Sequence, residues 1–385
     1  MKGNEKMIDV IELRRKFHQI PEVGFHEFET SRQIKKILDE YGIEYTDSVA
    51  DTGIIVSFGD GHLHIAFRAE IDALLINEEN DVPYASKNPG YMHACGHDCH
   101  IAALIQTIIK TKELFDKNKL RGKVTFIFQP CEETTNSDGL SGGQIISKLP
   151  FFSDVDHIYT CHIESTLESG KVFVRNGGLT AAIDRFDIEI IGKSGHGAYP
   201  HNTIDPIWLS SNVIQMINSI ESRVANTAFP SVISVCTING GNIWNAIPDK
   251  VTLSGTIRSF NENERERIHT SLKACLESVR AFGGDYNLTI AKGNPSVIND
   301  SIQADVVRKA AAIVVGEENV KDINIQMGGD DFSHYSMIKP SCYCYIGAKK
   351  DDVSRQHHSG NFDIDESKIE LIPNIYLQII KDSLS

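Results

Sequence analysis

The chain has 385 residues, more than one hydrophobic core usually organises, and its 41% hydrophobic and 23% charged residues are ordinary for a soluble globular protein, so we expect two domains. Its formal net charge of -14 argues against nucleic acid or an anionic membrane as a partner. No apolar run approaches the roughly 20 residues of a membrane span, no signal peptide is recognisable, and eight dispersed cysteines favour a reducing, cytoplasmic location.

The first half of the chain alternates predicted helices and apolar strands. Residues 7–42 predict a helical hairpin that ends at Gly42. TGIIVSFGD and HLHIAFRAE follow as a hairpin-like pair of strands around Gly-Asp-Gly. Then come a helix in IAALIQTIIKTKELFDKN, a buried strand in KVTFIFQP, a helix in GGQIISKL and a strand in HIYTCHI. This order predicts an α/β fold whose mixed sheet is covered on both faces, an α/β/α arrangement.

From about residue 180 the pattern changes to a compact α+β unit. RFDIEIIGKSG alternates as a half-exposed strand does, and a helix over 205–224 follows it. Two strands, a charged helix and a last strand in YNLTIAKG complete a β-α-β-β-α-β order, which is ferredoxin-like. More α/β sequence follows, including a helix over 301–315 and a strand in SCYCYIGA. We therefore predict one discontinuous domain, 1–180 with 295–385, and an inserted domain, 181–294.

Several short clusters carry side chains that bind metals. Cys95 and His97 stand two apart in HACGHDCH, just before an apolar helix whose dipole favours a thiolate. Glu132 and Glu133 follow the buried strand FIFQP, where two adjacent carboxylates need a compensating charge. His162 ends the strand IYTCHI, and sites gather at the carboxyl ends of parallel strands. Taken singly, each could be structural: a core cysteine, a solvated acidic loop or a buried histidine.

Other candidates lie outside these clusters. His357 and His358 belong to a loop near the C-terminus and, taken alone, would be exposed loop histidines. His196 stands between two glycines that permit close backbone approach to a ligand, or that only form a turn. Arg258 suits a substrate carboxylate, although many such arginines are only surface charges. Clusters this far apart in sequence favour a catalytic metal site over a structural zinc knuckle.

In order and spacing, these motifs resemble the M20 metallopeptidase family, specifically its amidohydrolase branch of aminoacylases, hippurate hydrolases, N-acetyl-diaminopimelate deacetylases and indole-acetyl-amino-acid hydrolases. The likeness runs almost the whole length of the chain, and HACGHD followed by QPxEE is the most specific part of it. The matching segments are LRRKFHQIPEVGFHEFET, RAEIDALLI, HACGHDCH, FQPCEE, GKSGHGAYPHNTIDP, NAIPDKV with SGTIR, GGDDFS and HHSGNFDIDE.

The resemblance implies a role for each matching residue. It implies a general base, Glu132, and two divalent ions per subunit, zinc or manganese with cobalt or nickel also possible, with Cys95 as the candidate bridge. His358 is preferred over His357 because the family's ligand stands four residues before an aromatic residue, here Phe362. His196 resembles a histidine that stabilises the oxyanion in the partner subunit of a homodimer, and the inserted domain resembles the family's lid and dimerisation domain. The implied metal ligands are Cys95, His97, Glu133, His162 and His358, and the implied substrate-binding residues are Asn245, Arg258, Gly328 and Gly329.

The chain departs from the family's usual RADMDALPI, QPAEEG and GGEDF. Glu70 replaces the aspartate that the resemblance assigns to orienting the base, and Leu75 replaces a proline. Cys131 and Thr134 flank the glutamate pair, and GGDDF stands for GGEDF. No implied ligand is lost, so we expect catalysis to survive, with the effect on substrate preference left open.

These features predict a metal-dependent hydrolase that cleaves the amide of small N-acyl amino acids, carrying acetyl or aromatic acyl groups. Three alternatives are open: a dipeptidase or aminopeptidase of the same family, a catalytically silent ligand-binding homologue, and a cysteine hydrolase that uses Cys95. Neither the acyl group nor the amino acid can be read from the residues.

Overall fold

The computed structural model describes residues 8–385 and divides into two compact units. The larger unit contains 8–177, Ile298–Asn324 and Asp331–Ser385, and the smaller contains Gly178–Val297 and Ile325–Asp330. The predicted first helix includes residue 7, which lies outside the described residues. No helix among the described residues is long and apolar enough to cross a membrane.

The helices and strands of the larger unit follow the alternating order expected from the sequence. The helices are α1 (Val10–His18), α2 (Phe28–Glu40), α3 (His97–Asp116), α4 (Gly142–Ile146), α7 (Ser301–Val315), α8 (Ser333–Ser336) and α9 (Leu371–Leu384), with 3-10 turns at Pro150–Asp154, Glu317–Asn319 and Glu366–Lys368. The strands are β1 (Thr46–Val49), β2 (Gly53–Phe58), β3 (His64–Glu70), β4 (Lys123–Gln129), β5 (His157–Glu164), β6 (Val172–Phe173), β14 (Ile298–Asn299), β15 (Val320–Lys321) and β16 (Ser341–Gly347), and β7 (Gly177–Gly178) lies at the unit boundary.

Eight of these strands form one mixed sheet in the order β1-β2-β4-β3-β5-β16-β6-β15. β3 is parallel to both β4 and β5, and β5 is parallel to β16, so these four strands end at the same edge. Every residue of β3 is buried, as in a strand covered on both faces. Ring contacts from Phe67 to Phe126, Tyr159 and Tyr376 lie in the core of this unit.

The predicted hairpin of β2 and β3 is wrong, because β4 lies between them. β2 is antiparallel to β4, and β4 is parallel to β3. Apolar runs around a glycine turn are compatible with a hairpin and also with a connection that leaves room for a third strand. β4 is buried at six of its seven positions, and the centre of a sheet is where such a strand gains most from burial.

The smaller unit has the β-α-β-β-α-β order predicted for the inserted sequence. Its elements are β8 (Ala182–Ile191), β9 (Gly195–His196), α5 (Pro206–Arg223), β10 (Ser231–Asn239), β11 (Ala246–Ile247), β12 (Lys250–Ser259), α6 (Glu262–Ala281) and β13 (Asp285–Lys292), with a 3-10 turn at Pro200–Asn202. The main sheet has the order β10-β12-β8-β13 with every neighbour antiparallel, which is ferredoxin-like. Buried residues on α6 recur at helical spacing against this sheet: Ile268, Leu272, Leu276 and Val279.

Candidate metal centre

The carboxyl ends of β4 and β5 and the start of α3 bring the predicted metal-binding residues of the larger unit together. Glu132 and Glu133 follow β4 directly, and His162 lies near the end of β5. Cys95 and His97 are joined by Gly96, whose φ of 90° lets the chain turn sharply into α3. The sheet edge expected from the strand directions is therefore the edge at which these side chains meet.

Two groups of donor atoms form at this edge, and Cys95 belongs to both. One donor atom from each of Cys95, His97 and Glu133 lies within 4.8 Å of the others, and the same holds for Cys95, His162 and His357. The Cys95 Sγ is 3.5 Å from His162 Nε2, and His97 Nε2 is 3.9 Å from Glu133 Oε1. A shared thiol between two donor groups is the arrangement that a bridged metal pair needs.

Hydrogen bonds to the other ring nitrogen orient both buried histidines. His97 Nδ1 donates to the Asp72 carbonyl oxygen at 2.9 Å, and His162 Nδ1 donates to the Ile163 carbonyl oxygen at 2.7 Å. Each neutral ring then keeps its lone pair on Nε2, the nitrogen that faces Glu133 or Cys95. A fixed Nδ1–H bond of this kind accompanies histidine ligation of metals in proteins.

The two neighbouring histidines of the C-terminal loop both reach this edge. His358 Nε2 lies 3.1 Å from Glu133 Oε1, and the His358 backbone N–H donates to the Ala94 carbonyl oxygen at 2.9 Å. The His357 side chain is only 18% exposed against 52% for His358, and it carries the donor atom of the second group. The sequence favours His358 because it stands four residues before Phe362, and that spacing carries no information on the burial of His357.

Asp72 holds the glutamate pair in place. One carboxylate oxygen, Oδ2, accepts the backbone N–H of Glu132 at 2.8 Å and that of Glu133 at 2.9 Å. Burial alone would raise the pKa of Asp72, but the hydrogen bond and charge of His97 and the backbone donors hold this pKa below its ordinary value. A buried anion at this point therefore fixes both glutamates and, through its carbonyl oxygen, His97.

Glu70 does not take the orienting role that the resemblance assigned to its position. Its carboxylate binds Arg68 Nη1 and, at 2.8 Å, His100 Nδ1, whereas the amides of the glutamate pair go to Asp72. Glu70 is the last residue of β3, and Asp72 stands two residues later, beyond the strand. The sequence offered two acidic residues in one short segment and no signal for which one meets the loop after β4.

A second buried glutamate supports the same loop. The Glu27 carboxylate accepts the Cys131 backbone N–H at 2.8 Å and the Thr52 hydroxyl at 2.6 Å. Burial and the nearby charge of Asp72 raise the pKa of Glu27 to about 7. Cys131 itself has a φ of 49° and a fully buried side chain, so this departure from the family pattern packs inside the protein.

The donor atoms fit a divalent transition metal. His357 Nδ1 is buried and makes no hydrogen bond to any other described residue, and the buried Glu133 Oε1 lies 3.1 Å from His358 Nε2. Burial, followed by the charges of Glu133 and Glu132, raises the pKa of the Cys95 thiol, so a cation is the missing partner that would favour a thiolate there. A mixed set of thiol, imidazole and carboxylate suits zinc and also admits manganese, cobalt or nickel.

The remaining predicted site residues belong to the smaller unit. His196 pairs with Ala246 between β9 and β11, and the Gly197 N–H donates to the Asn245 carbonyl oxygen at 2.8 Å, so His196 and Asn245 are neighbours. The Ala198 N–H donates to His196 Nδ1 at 3.1 Å, which leaves the proton of the neutral ring on Nε2. The Gly328 carbonyl oxygen accepts the Ala181 N–H at 2.9 Å, Gly329 packs against Ile183, and Arg258 is the strand partner of Ile183 on β12.

Residues 66–382 match the family described as Peptidase family M20/M25/M40. The chain belongs to this family. Among its relatives is the N-acetyl-L-cysteine deacetylase of Bacillus subtilis, 37% identical over 364 residues, which are 94% of this chain and 84% of that protein. The Arabidopsis thaliana IAA-amino acid hydrolase ILR1-like 4 is 33% identical over 97% of this chain and 84% of its own.

A solved structure of the same family has the same fold. The Bacillus subtilis YXEP protein, described as a dinuclear metal binding peptidase from the M20 family, superposes with a TM-score of 0.81 at 29% identity, over 97% of each chain. These likenesses confirm the predicted family, the two-part α/β fold class and the enzyme class, a hydrolase acting on amide bonds. The M20 chain described here offers its own donor groups for such a metal pair around Cys95.

Proposed function

We propose that this M20 hydrolase cleaves the amide bond of small N-acyl amino acids with two divalent metal ions and Glu132 as general base. The observation that supports it best is the pair of donor groups sharing Cys95, with Glu132 directly before one donor, Glu133. The relatives named as a deacetylase of N-acetyl-L-cysteine and an IAA-amino acid hydrolase point to the same substrate class.

The proposed metal ligands are the residues that the family resemblance implied. Cys95, His97, Glu133, His162 and His358 would hold the two ions, and Cys95, which belongs to both donor groups, is the candidate shared ligand. His357 competes with His358, because the His357 ring belongs to the second donor group while His358 contacts Glu133. Separate His357→Ala and His358→Ala variants, compared by metal content, distinguish the two.

The chemistry that two divalent ions would supply at these ligands is Lewis acidity, which makes a water molecule more acidic and an amide carbonyl group more electrophilic. Glu132 would take a proton from the attacking water and deliver it to the leaving amine. Asp72 keeps the Glu132 backbone in place through its amide, and the Asp331 N–H donates to Glu132 Oε1 at 3.4 Å. Hydrogen bonds therefore hold Glu132 both at its backbone N–H and at its carboxylate.

We assign the smaller unit the role of lid and dimerisation domain. His196, with its proton on Nε2, would donate to the developing oxyanion in the partner subunit's site. Arg258 would bind the substrate carboxylate, with Asn245, Gly328 and Gly329 also contributing to substrate binding. β10 is an edge strand, and the large apolar side chains Ile238, Ile243 and Trp244 are exposed in this unit, which favours pairing with a second copy.

A panel of N-acetyl amino acids, N-benzoyl amino acids and dipeptides, each assayed with zinc, manganese, cobalt and nickel, tests this proposal. We expect turnover of the N-acyl amino acids to exceed that of the dipeptides. Faster cleavage of unblocked dipeptides would make the protein a dipeptidase, and no turnover of any compound with any metal would favour a binding homologue. All eight cysteines are free thiols, which suits the cytoplasmic location that we also propose.

A further inference from the structure

Beyond Tyr159, strand β5 has no paired strand on the side of β3, and His162 lies in this stretch. The register of β3 with β5 runs from Ile65 opposite His157 to Phe67 opposite Tyr159. On the other side β16 stays paired with β5 as far as Glu164. Backbone N–H groups on the side that β3 leaves must find other acceptors, because buried amides are almost always paired.

Two side chains supply these acceptors. The Cys161 N–H donates to the Tyr376 hydroxyl at 2.7 Å, and the Ile163 N–H donates to His100 Nε2 at 2.9 Å. Alternate residues of a strand direct their amides to the same side, which is why the amides of residues 161 and 163 are the ones that need these acceptors. His100 therefore takes the place of β3 at the residue that follows His162.

The state of His100 follows from its partners. Because the Ile163 amide can only donate, His100 Nε2 must accept, and the ring proton resides on Nδ1. That proton is donated to Glu70 Oε2 at 2.8 Å. The other Glu70 oxygen binds Arg68, whose Nη2 donates to Asp331 Oδ1 at 2.6 Å. His100 and these three charged side chains are at most 2% exposed, so the chain of bonds is shielded from water.

Ile163 also orients the His162 ring. The Ile163 N–H donates to His100, and the Ile163 carbonyl oxygen accepts the hydrogen bond from His162 Nδ1. The His100 and His162 rings are also in contact, with centroids 4.7 Å apart. The direction of His162 Nε2 toward Cys95 thus depends on His100 through the backbone and through the ring.

We propose that Glu70 and His100 are positioning residues that orient His162 toward its metal ion. Glu70 is long enough to bind Arg68 and His100 together, which gives a physical use to the glutamate at this position. The inference rests on the proposed metal pair and is independent of the substrate. Partners that orient a ligand in this way typically contribute about 10- to 100-fold to metal affinity.

Metal titration of the apo protein against a chromophoric chelator, with zinc as the probe, tests the proposal. His100→Phe keeps an aromatic ring and removes the acceptor, and Glu70→Asp shortens the carboxylate. We expect each to weaken one of two binding steps by about 10- to 100-fold while the other step is unchanged. His100→Gln, whose amide oxygen can accept from Ile163, should retain more affinity than His100→Phe.

Tyr376→Phe is the matched control, because it removes the same kind of bond from Cys161, two residues away on the same edge. We expect it to lower thermal stability and leave both zinc affinities unchanged. Wild-type affinities in His100→Phe and Glu70→Asp, or an equal loss in Tyr376→Phe, would overturn the proposal. If the wild type binds two ions but cleaves no N-acyl amino acid, the substrate proposal fails, and the affinities still decide the role of His100.

Discussion

The Asp72 carboxylate accepts the backbone N–H of Glu132 at 2.8 Å, and the same oxygen atom accepts the next amide along the chain. The backbone of the residue proposed as general base is therefore held in place by a buried anion. Asp72 also accepts the Nδ1–H of His97 through its carbonyl oxygen, so one residue connects the base with a proposed ligand.

Replacing Asp72 with asparagine should lower kcat/KM by about 10- to 100-fold, because both amides lose their charged acceptor. Asp156→Asn is the control, since Asp156 accepts the His64 amide at 2.8 Å at the opposite end of β3. Steady-state kinetics with an N-acetyl amino acid measure both. Equal losses in the two variants would mean that Asp72 acts only through general stability.

Removal of metal should abolish activity, and added zinc or manganese should restore it, because the proposed reaction needs a cation at the donor groups around Cys95 to activate the water molecule. The measurement is turnover after dialysis against EDTA and again after metal addition. A cysteine hydrolase would keep its activity through EDTA treatment and lose it on thiol alkylation, and that pair of results would exclude the metal-based account.

His196→Ala should reduce kcat by roughly 10²–10³-fold if His196 donates to the oxyanion. Mixing this variant with Glu132→Gln should recover part of the activity, because a hybrid dimer has one site with both residues intact. Each variant incubated alone in the same buffer serves as the control. No recovery, in mixtures shown by mass spectrometry to exchange subunits, would contradict action across the dimer.

The smaller unit should lose stability in acid through Asp184. Its buried carboxylate binds Arg265 and His269, and although burial opposes ionisation, these partners lower the pKa of Asp184 from 3.8 to about 2. A lowered folded-state pKa stabilises above the unfolded value, so about 2 kcal/mol should be lost as pH falls from near 4 to near 2.

Both tryptophans, Trp208 and Trp244, belong to the smaller unit, so tryptophan fluorescence follows this unit alone. Denaturant titrations at pH 6 and pH 3 should show the loss in wild type, and Asp184→Asn should show less difference between the two pH values. An unchanged pH dependence in Asp184→Asn would contradict the assignment.

The element types were predictable because periodicity reports burial directly. The apolar run of β4 and the spacing of Ile268, Leu272 and Leu276 on α6 needed no long-range knowledge. The pairing of β2 with β4 was missed, because strand order depends on which apolar surfaces fit together across the sheet, and a local pattern carries no such information.

The proposed ligands were predictable as residue types that converge at one sheet edge. The residues that support these ligands were harder to predict. Asp72, Glu27 and His100 accept hydrogen bonds from backbone amides of residues distant in sequence, and only the folded geometry shows which amide each one meets. His357 and His358 share a loop and a residue type, so their different burial is likewise a result of the fold.

The proposed mechanism requires that Glu132 acts as the base and Glu133 as a metal ligand. Its most direct test is metal content and turnover of an N-acetyl amino acid, measured side by side in wild type, Glu132→Gln and Glu133→Gln. We predict that Glu132→Gln keeps two metal ions per subunit and loses at least about 10²–10⁴-fold in kcat, while Glu133→Gln loses metal. Full metal content together with wild-type turnover in Glu132→Gln would contradict the account.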